Sequence, residues 1–254
     1  MKSRLELICD YEYGKTSIKN IFFTPPYMIM HPFMDGDKME VILMSASAGL
    51  LAGDIFECLI DVEENAYVSF LSQSYEKILD TKDDRAEKRL NIKVAQNATL
   101  KYMPFPAIPY ANSDYQATNE IRLDSGAKLV YGDIFSCGRV GMGEKYGLKK
   151  FRSRTNIYID DSLSFADHTL ISPADFRNDR LGMWGNYTHS GMLYIYTPDE
   201  DKLSDIANYV KDIGDSKDDI LSGVSKGKKG LIIRTLGYSG DALYNFNRQI
   251  AAKL

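Results

Sequence analysis

The sequence predicts a mainly β fold: an extended β-sandwich or β-solenoid-like body of many short strands, with two helices in a small C-terminal α/β portion. Three observations lead there. Short apolar or alternating segments recur at intervals of about 8–12 residues through the first two thirds of the chain. Polar or glycine-containing turns separate them. Helical spacing of apolar residues emerges only after about residue 198.

The strands are read in order. Leu5–Cys9 and Glu40–Met44 are short and rich in β-formers. Phe56–Val62 alternates apolar and polar residues, as a half-buried strand does. Ala66–Leu71, Leu90–Val94, Thr99–Met103, Asn119–Leu123, Lys128–Tyr131, Thr155–Ile159 and Ser164–Asp167 follow. Asn97-Ala98, Ser125-Gly126-Ala127 and Asp160-Asp161-Ser162 lie between strands and read as hairpin or strand-to-strand turns. A loose recurrence, x-Ala-x-Leu-x-Tyr/Phe, spans Ala66–Phe70, Ala98–Tyr102 and Ala127–Tyr131. Each copy follows a polar turn, which suggests stacked two-strand coils. Asp80–Arg89 is densely charged and reads as a solvated loop or edge, with a charged docking surface as the other reading.

Thr197-Pro198-Asp199-Glu200 looks like a helix start, with Thr197 as the cap. Leu203, Ile206, Ala207, Val210 and Ile213 then share one face, and Gly214 ends the helix. Gly230–Leu236 reads as a strand and Ser239–Ala252 as a second helix with Leu243, Phe246, Ile250 and Ala251 inward. With no linker between the parts, residues 1–254 are expected to form one domain: a β body over about 1–197 and a helix-strand-helix portion over about 198–254.

Composition narrows the function. The hydrophobic fraction of 44% and charged fraction of 26% suit a globular chain with a sizeable core. A net charge of −4 offers no basic excess for phosphate neutralisation, so nucleic acid is not an expected partner. No apolar run approaches the roughly 20 residues of a membrane span. Glu6 stands where a secretion signal needs apolar residues, and Cys9, Cys58 and Cys137 are too few and scattered for a disulfide framework. A cytoplasmic setting is the expectation. The 17 tyrosines favour strands and contact surfaces.

Enzyme chemistry finds little support. His31, His168 and His189 sit in no nucleophile or metalloprotease frame, and nothing selects a Cys137 assembly. Ser45–Asp54 lacks the lysine of a phosphate cradle, and Gly138-Arg139-Val140-Gly141-Met142-Gly143 has the wrong glycine order for a dinucleotide site. It reads as a glycine-rich bend. The acids are more informative. Asp54 follows Gly53 at a strand entrance, and Asp133 interrupts the apolar run Leu129–Phe135. A carboxylate there needs a partner or a wet cavity. Glu76 beside Lys77, and the pair Asp167-His168, are further polar groups near strands. Carboxylates and imidazole suit Ni²⁺, so a sparse line of them can pass the metal on without trapping it; the plain alternative is structural pairing with Arg139, Lys77 or backbone amides.

Four segments together resemble the UreD/UreH family of urease accessory proteins. They are Gly49-Leu50-Leu51-Ala52-Gly53-Asp54; Leu71–Ile78 with its Gln73 and Lys77; Leu100–Tyr110 with Pro104, Pro106 and Pro109; and Asp133–Glu144 with Gly138-Arg139. The resemblance covers roughly residues 40–170. Ala48-Gly49-Leu50 departs from the family's Pro-Gly-Gly before the first turn. The resemblance implies a non-enzymatic scaffold that helps mature urease by nickel insertion. It implies binding to apo-urease and to the accessory proteins UreF and UreG, in a 2:2 assembly through UreF. No stably bound cofactor is implied, only transient Ni²⁺. Asp54 and Asp133 are the leading candidates to line a nickel passage, with Glu76, Asp167 and His168 as further ones. Gly53, Lys77, Pro104, Pro106, Pro109, Gly138 and Arg139 are motif residues expected to serve structure or partner contacts. A β-rich module that binds glycans or proteins, with tyrosines stacking on sugars, is the alternative.

Overall fold

The three copies of x-Ala-x-Leu-x-Tyr/Phe stack directly on one another in the computed structural model, which describes residues 1–176 and 184–254. They form β7 (Tyr67–Ser72), β10 (Thr99–Met103) and β13 (Lys128–Ser136), paired in parallel and in register. Val68, Leu100 and Leu129 align, and so do Phe70, Tyr102 and Tyr131. The three rings form a stacked ladder with centroids 5.3 and 5.7 Å apart. Ala66, Ala98 and Ala127 are buried at the corner that leads into each strand.

Between these strands the chain crosses to a second sheet. β6 (Ile55–Val62), β9 (Ala86–Val94), β12 (Asp114–Leu123) and β14 (Lys150–Ile159) run parallel to each other there. Each turn of the coil thus contributes one strand to each sheet, as a solenoid requires. Ile60, Ile92, Ile121 and Ile157 form one inward layer across the four strands. The corners use left-handed backbone at Asn97 (φ 59°) and Gly126 (φ 78°). These are strand-to-strand corners between sheets, whereas Asp160-Asp161 turns a true hairpin into β15 (Ser162–Ile171). Two short strands, β8 (Glu76–Ile78) and β11 (Ala107–Pro109), pair in parallel on a third, narrow side.

Antiparallel strands finish the body. β1 (Lys2–Glu12) joins β6 in parallel and carries β2 (Lys15–Phe23) at its outer edge, so the seven-stranded sheet runs β15-β14-β12-β9-β6-β1-β2. β3 (Tyr27–Ile29) and β4 (Phe33–Asp35) pair with β5 (Lys38–Ser45) at one end of the 11-stranded sheet. At its other end lie β16 (His189–Tyr196), β17 (Ile220–Lys226) and β18 (Leu231–Gly237), in the order β17-β18-β16-β13.

Three α-helices are present among the described residues: α1 (Pro173–Phe176), α2 (Glu200–Asp215) and α3 (Gly240–Ala251). α2 is capped by Asp199, whose carboxylate accepts from the Lys202 amide at 2.9 Å, rather than by Thr197. Thr197 instead accepts from the Asp199 amide. Either oxygen type serves a cap, and the chain uses the one nearer the first free amides. Ser239, the first residue of the expected second helix, caps α3 by accepting from the Ala242 amide. The C-terminal portion holds two strands where one was expected. β17 is an edge strand in which only Ile220 is buried, so its pattern is weak.

The helices explain the apolar run of β13. Its odd positions, Leu129, Tyr131 and Asp133, face the solenoid interior. Val130 and Ile134 face outward into a second core with Leu193, Ile195, Ile233, Leu203, Ile206, Leu243, Phe246 and Ile250. A strand covered on both faces loses its polar alternation. Asp133 therefore projects into the solenoid, not into the helix layer.

Candidate functional site

The solenoid interior changes character along the strands. Behind the isoleucine layer comes Cys58, Leu90, Asn119 and Thr155, and behind that Phe56, Lys88, Ala117 and Ser153. The facing sheet presents Tyr102, Tyr131 and Asp133, and the narrow side presents Glu76. All of these except the isoleucines, Cys58 and Thr155 line an interior cavity of about 120 Å³ that also includes Tyr27, Tyr115 and Gly132. One water needs about 10–15 Å³ on this measure, so the cavity holds several.

Some of the interior polar groups are paired, whereas the buried Tyr27 hydroxyl has no hydrogen-bond partner among the described residues. The Lys88 ammonium lies 2.6 Å from Glu76 Oε1, and the Tyr115 hydroxyl donates to Glu76 Oε2 at 3.2 Å. Asn119 Nδ2 donates to Thr155 Oγ1 at 3.0 Å. Asp133 accepts a long bond of 3.3 Å from Ser153 Oγ and has no ion-pair partner among the described residues. Burial pushes its carboxyl up to about 6. Lys88 works against that rise, and Asp167 and Glu76 add to it. Burial likewise raises the phenols of Tyr102, Tyr115 and Tyr131 well above the ordinary value, so they remain neutral donors.

Asp133 also lines a second, wider cavity of about 720 Å³. That cavity lies against β15, β16, β17 and β18 and includes Asp167, His168, Trp184, Ser222, Arg234 and Thr235. Asp167 pairs with Arg234 and accepts from Thr169 Oγ1 at 3.3 Å. His168 is exposed beside it on the edge strand. Glu76, Asp133 and Asp167 therefore form an interrupted line of carboxylates from the interior cavity into the wider one, with Asp133 common to both.

Asp54 stands elsewhere. It is 4% exposed, pairs with the Met1 amine at 2.7 Å and accepts from the Leu51 amide at 2.8 Å. It lines neither cavity. Gly53, with φ 74°, lets the turn pass close to Asp84. Lys77 is exposed at the rim of the interior cavity, and its carbonyl accepts from the Leu50 amide at 2.8 Å.

The remaining motif residues shape the body. Pro104 and Pro106 precede β11 and Pro109 ends it; Phe105, between the first two, stacks between Tyr75 and Tyr244, with centroids 5.7 and 4.4 Å away, which docks α3 on the solenoid. Gly138 has φ 143°, and a β-carbon there would lie 2.7 Å from the Glu144 carbonyl oxygen. Arg139 stacks 4.4 Å over the Tyr110 ring and pairs with Glu144, whose other oxygen accepts from the Ala111 amide. This clamps the bend to the proline segment.

Lys88 was hidden by its surroundings. It sits in the charged stretch expected to be a solvated loop or edge, yet residues 86–89 begin β9. Its parity matches the buried Ala86, Leu90, Ile92 and Val94, and that alternation was the available signal. Arg234 carried no such signal. Of the 17 tyrosines that suggested a sugar-stacking surface, seven are buried: Tyr27, Tyr102, Tyr115, Tyr131, Tyr194, Tyr196 and Tyr244. His189 is buried too, with its imidazole pushed down to about 4 by desolvation. Burial lifts the thiols of Cys9 and Cys58 to about 12, so they remain thiols at neutral pH. Among the described residues no group of three or more His, Cys, Asp and Glu side chains could hold a metal ion, and no helix is long and apolar enough to cross a membrane.

Comparison with known proteins agrees with this arrangement of motifs. The sequence profile of the UreD urease accessory protein matches residues 1–254. The chain is 34% identical to the urease accessory protein UreH of Helicobacter hepaticus, over 94% of this chain and 92% of that protein. It is 31% identical to UreD of Acetivibrio thermocellus, over 95% and 93%, and 29% identical to UreH of Helicobacter pylori strain G27, over 94% and 89%. The chain therefore belongs to the UreD urease accessory protein family.

Proposed function

We propose that this protein is a non-enzymatic scaffold of urease maturation that passes Ni²⁺ through its solenoid interior to apo-urease. Family membership supports the role in maturation. The passage rests on one observation: Asp133 lines both the interior cavity and the wider one. Glu76, Asp133 and Asp167 supply oxygen ligands in series, and His168 adds an imidazole at the outer end. Such ligands accept Ni²⁺, and their spacing prevents the closed ligand set that would retain it. A sequence of weak sites favours throughput, since a tight site releases slowly.

In this reading apo-urease receives the metal, and UreF with UreG delivers it, in a 2:2 assembly through UreF. The protein acts in the cytoplasm. Asp54, first in line from sequence, is assigned to holding the turn that precedes β6.

Replacing Asp133 with Leu at similar volume tests the passage. The complex with apo-urease should form as before, while nickel-dependent urease activation drops. Full activation by a folded Asp133→Leu protein would remove the passage role.

A further inference from the structure

The interior cavity contains a cation of its own. Lys88 enters from the inner face of β9, in register with Phe56 on one side and Ala117 on the other. Ser153 follows Ala117 in the same layer. Glu76 reaches the ammonium from β8 across the cavity. Tyr115 holds the second oxygen of Glu76, so that carboxylate is fixed with one face turned to Lys88. Lys88 also acts on Asp133, whose carboxyl its charge favours in the ionised form. Tyr27, Tyr102 and Tyr131 complete the surroundings as neutral groups. Lys77, the other lysine on the cavity wall, is exposed at its rim.

A dication cannot share this space with the ammonium at close range, because like charges in a poorly solvated cavity repel strongly. An ammonium on a flexible four-carbon stem can swing away, unlike a fixed guanidinium fork. Building on the passage reading, we propose that Lys88 is a displaceable counter-ion: its ammonium occupies the place of the dication at Glu76 and yields that place when the metal arrives. Lys88 is then a positioning residue. It keeps the Glu76 carboxylate compensated between transfers, and it weakens metal binding in the cavity so that the cargo moves on.

The test is nickel binding by the full-length chain, measured by calorimetry. Lys88→Met should bind one Ni²⁺ at least tenfold more tightly than the parent, because both carboxylates then face the metal alone. Lys88→Arg should not tighten binding, and Lys88→Met with Glu76→Gln should return to the parent's affinity. Binding by folded Lys88→Met that is no tighter than the parent's would overturn the proposal. Should Lys88→Met fail to fold, the parent protein carries the test. Its Lys88 ¹³Cε resonance, identified by its loss in Lys88→Arg, should shift on titration with diamagnetic Zn²⁺. A resonance unmoved at millimolar Zn²⁺ would overturn the proposal. The passage reading fails differently: Asp133→Leu would activate urease normally, whatever Lys88→Met binds.

Discussion

Replacing Asp133 with Asn removes a charge from the solenoid interior at almost constant shape. The Asp133 carboxyl rises from an ordinary 3.8 to about 6, chiefly through desolvation. That rise corresponds to about 3 kcal/mol of stability lost when the group ionises. Below about pH 4 the group is protonated both folded and unfolded, and it contributes nothing. Between about pH 4 and 6 the unfolded chain ionises first, so stability falls as pH rises. Above pH 6 the full cost is in place. Asp133→Asn should therefore be more stable than the parent at pH 8 by up to about 3 kcal/mol, or roughly 6–12 °C in Tm for a chain of this size. The difference should vanish near pH 4. Thermal denaturation followed by circular dichroism at pH 4, 6 and 8 measures it. The same variant should lose nickel-dependent urease activation, since an amide is a poor ligand for the metal. An Asn variant equal to or less stable than the parent at pH 8 would refute the reasoning. It would mean that Asp133 is compensated by a partner rather than held ionised against a desolvation cost.

Two further predictions concern the motif residues. Gly138→Ala should cost about 2–3 kcal/mol in chemical denaturation, because φ is 143° and the new β-carbon meets the Glu144 carbonyl oxygen. Asp54→Ala should cost about 2 kcal/mol by the same measurement, because the Leu51 amide and the Met1 amine lose their charged acceptor, itself buried beneath the turn.

The body was legible because its coils repeat. The alanine at each corner, the aliphatic residue at the next inward position (Val68, Leu100, Leu129) and the aromatic after it recur at matched places, and the stacking of Phe70, Tyr102 and Tyr131 is the physical reason. Asp133 was legible as an acid in an apolar run. Its neighbours were less so. Lys88 is surrounded in sequence by Arg85, Glu87 and Arg89, which point outward, and only the two-residue alternation separates it from them. Glu76 was visible as a polar group near strands, but its partner lies across the coil and no local pattern pairs the two. Asp54 follows a family turn and looked like part of the passage, whereas its contacts are to the Met1 amine and its own turn. The strands missed from sequence have distinct causes. β2 and β17 are edge strands with little buried surface, while β16 is buried nearly throughout and lacks alternation.

The central claim is that the interior cavity is a route for metal, and filling it tests this without touching any ligand. Ala117 lines that cavity between Lys88 and Ser153. The measurement is nickel-dependent activation of apo-urease by Ala117→Leu, alongside complex formation. A passage predicts that the complex forms in full and that activation falls at least tenfold. Undiminished activation by the folded variant would show that nickel travels by another path.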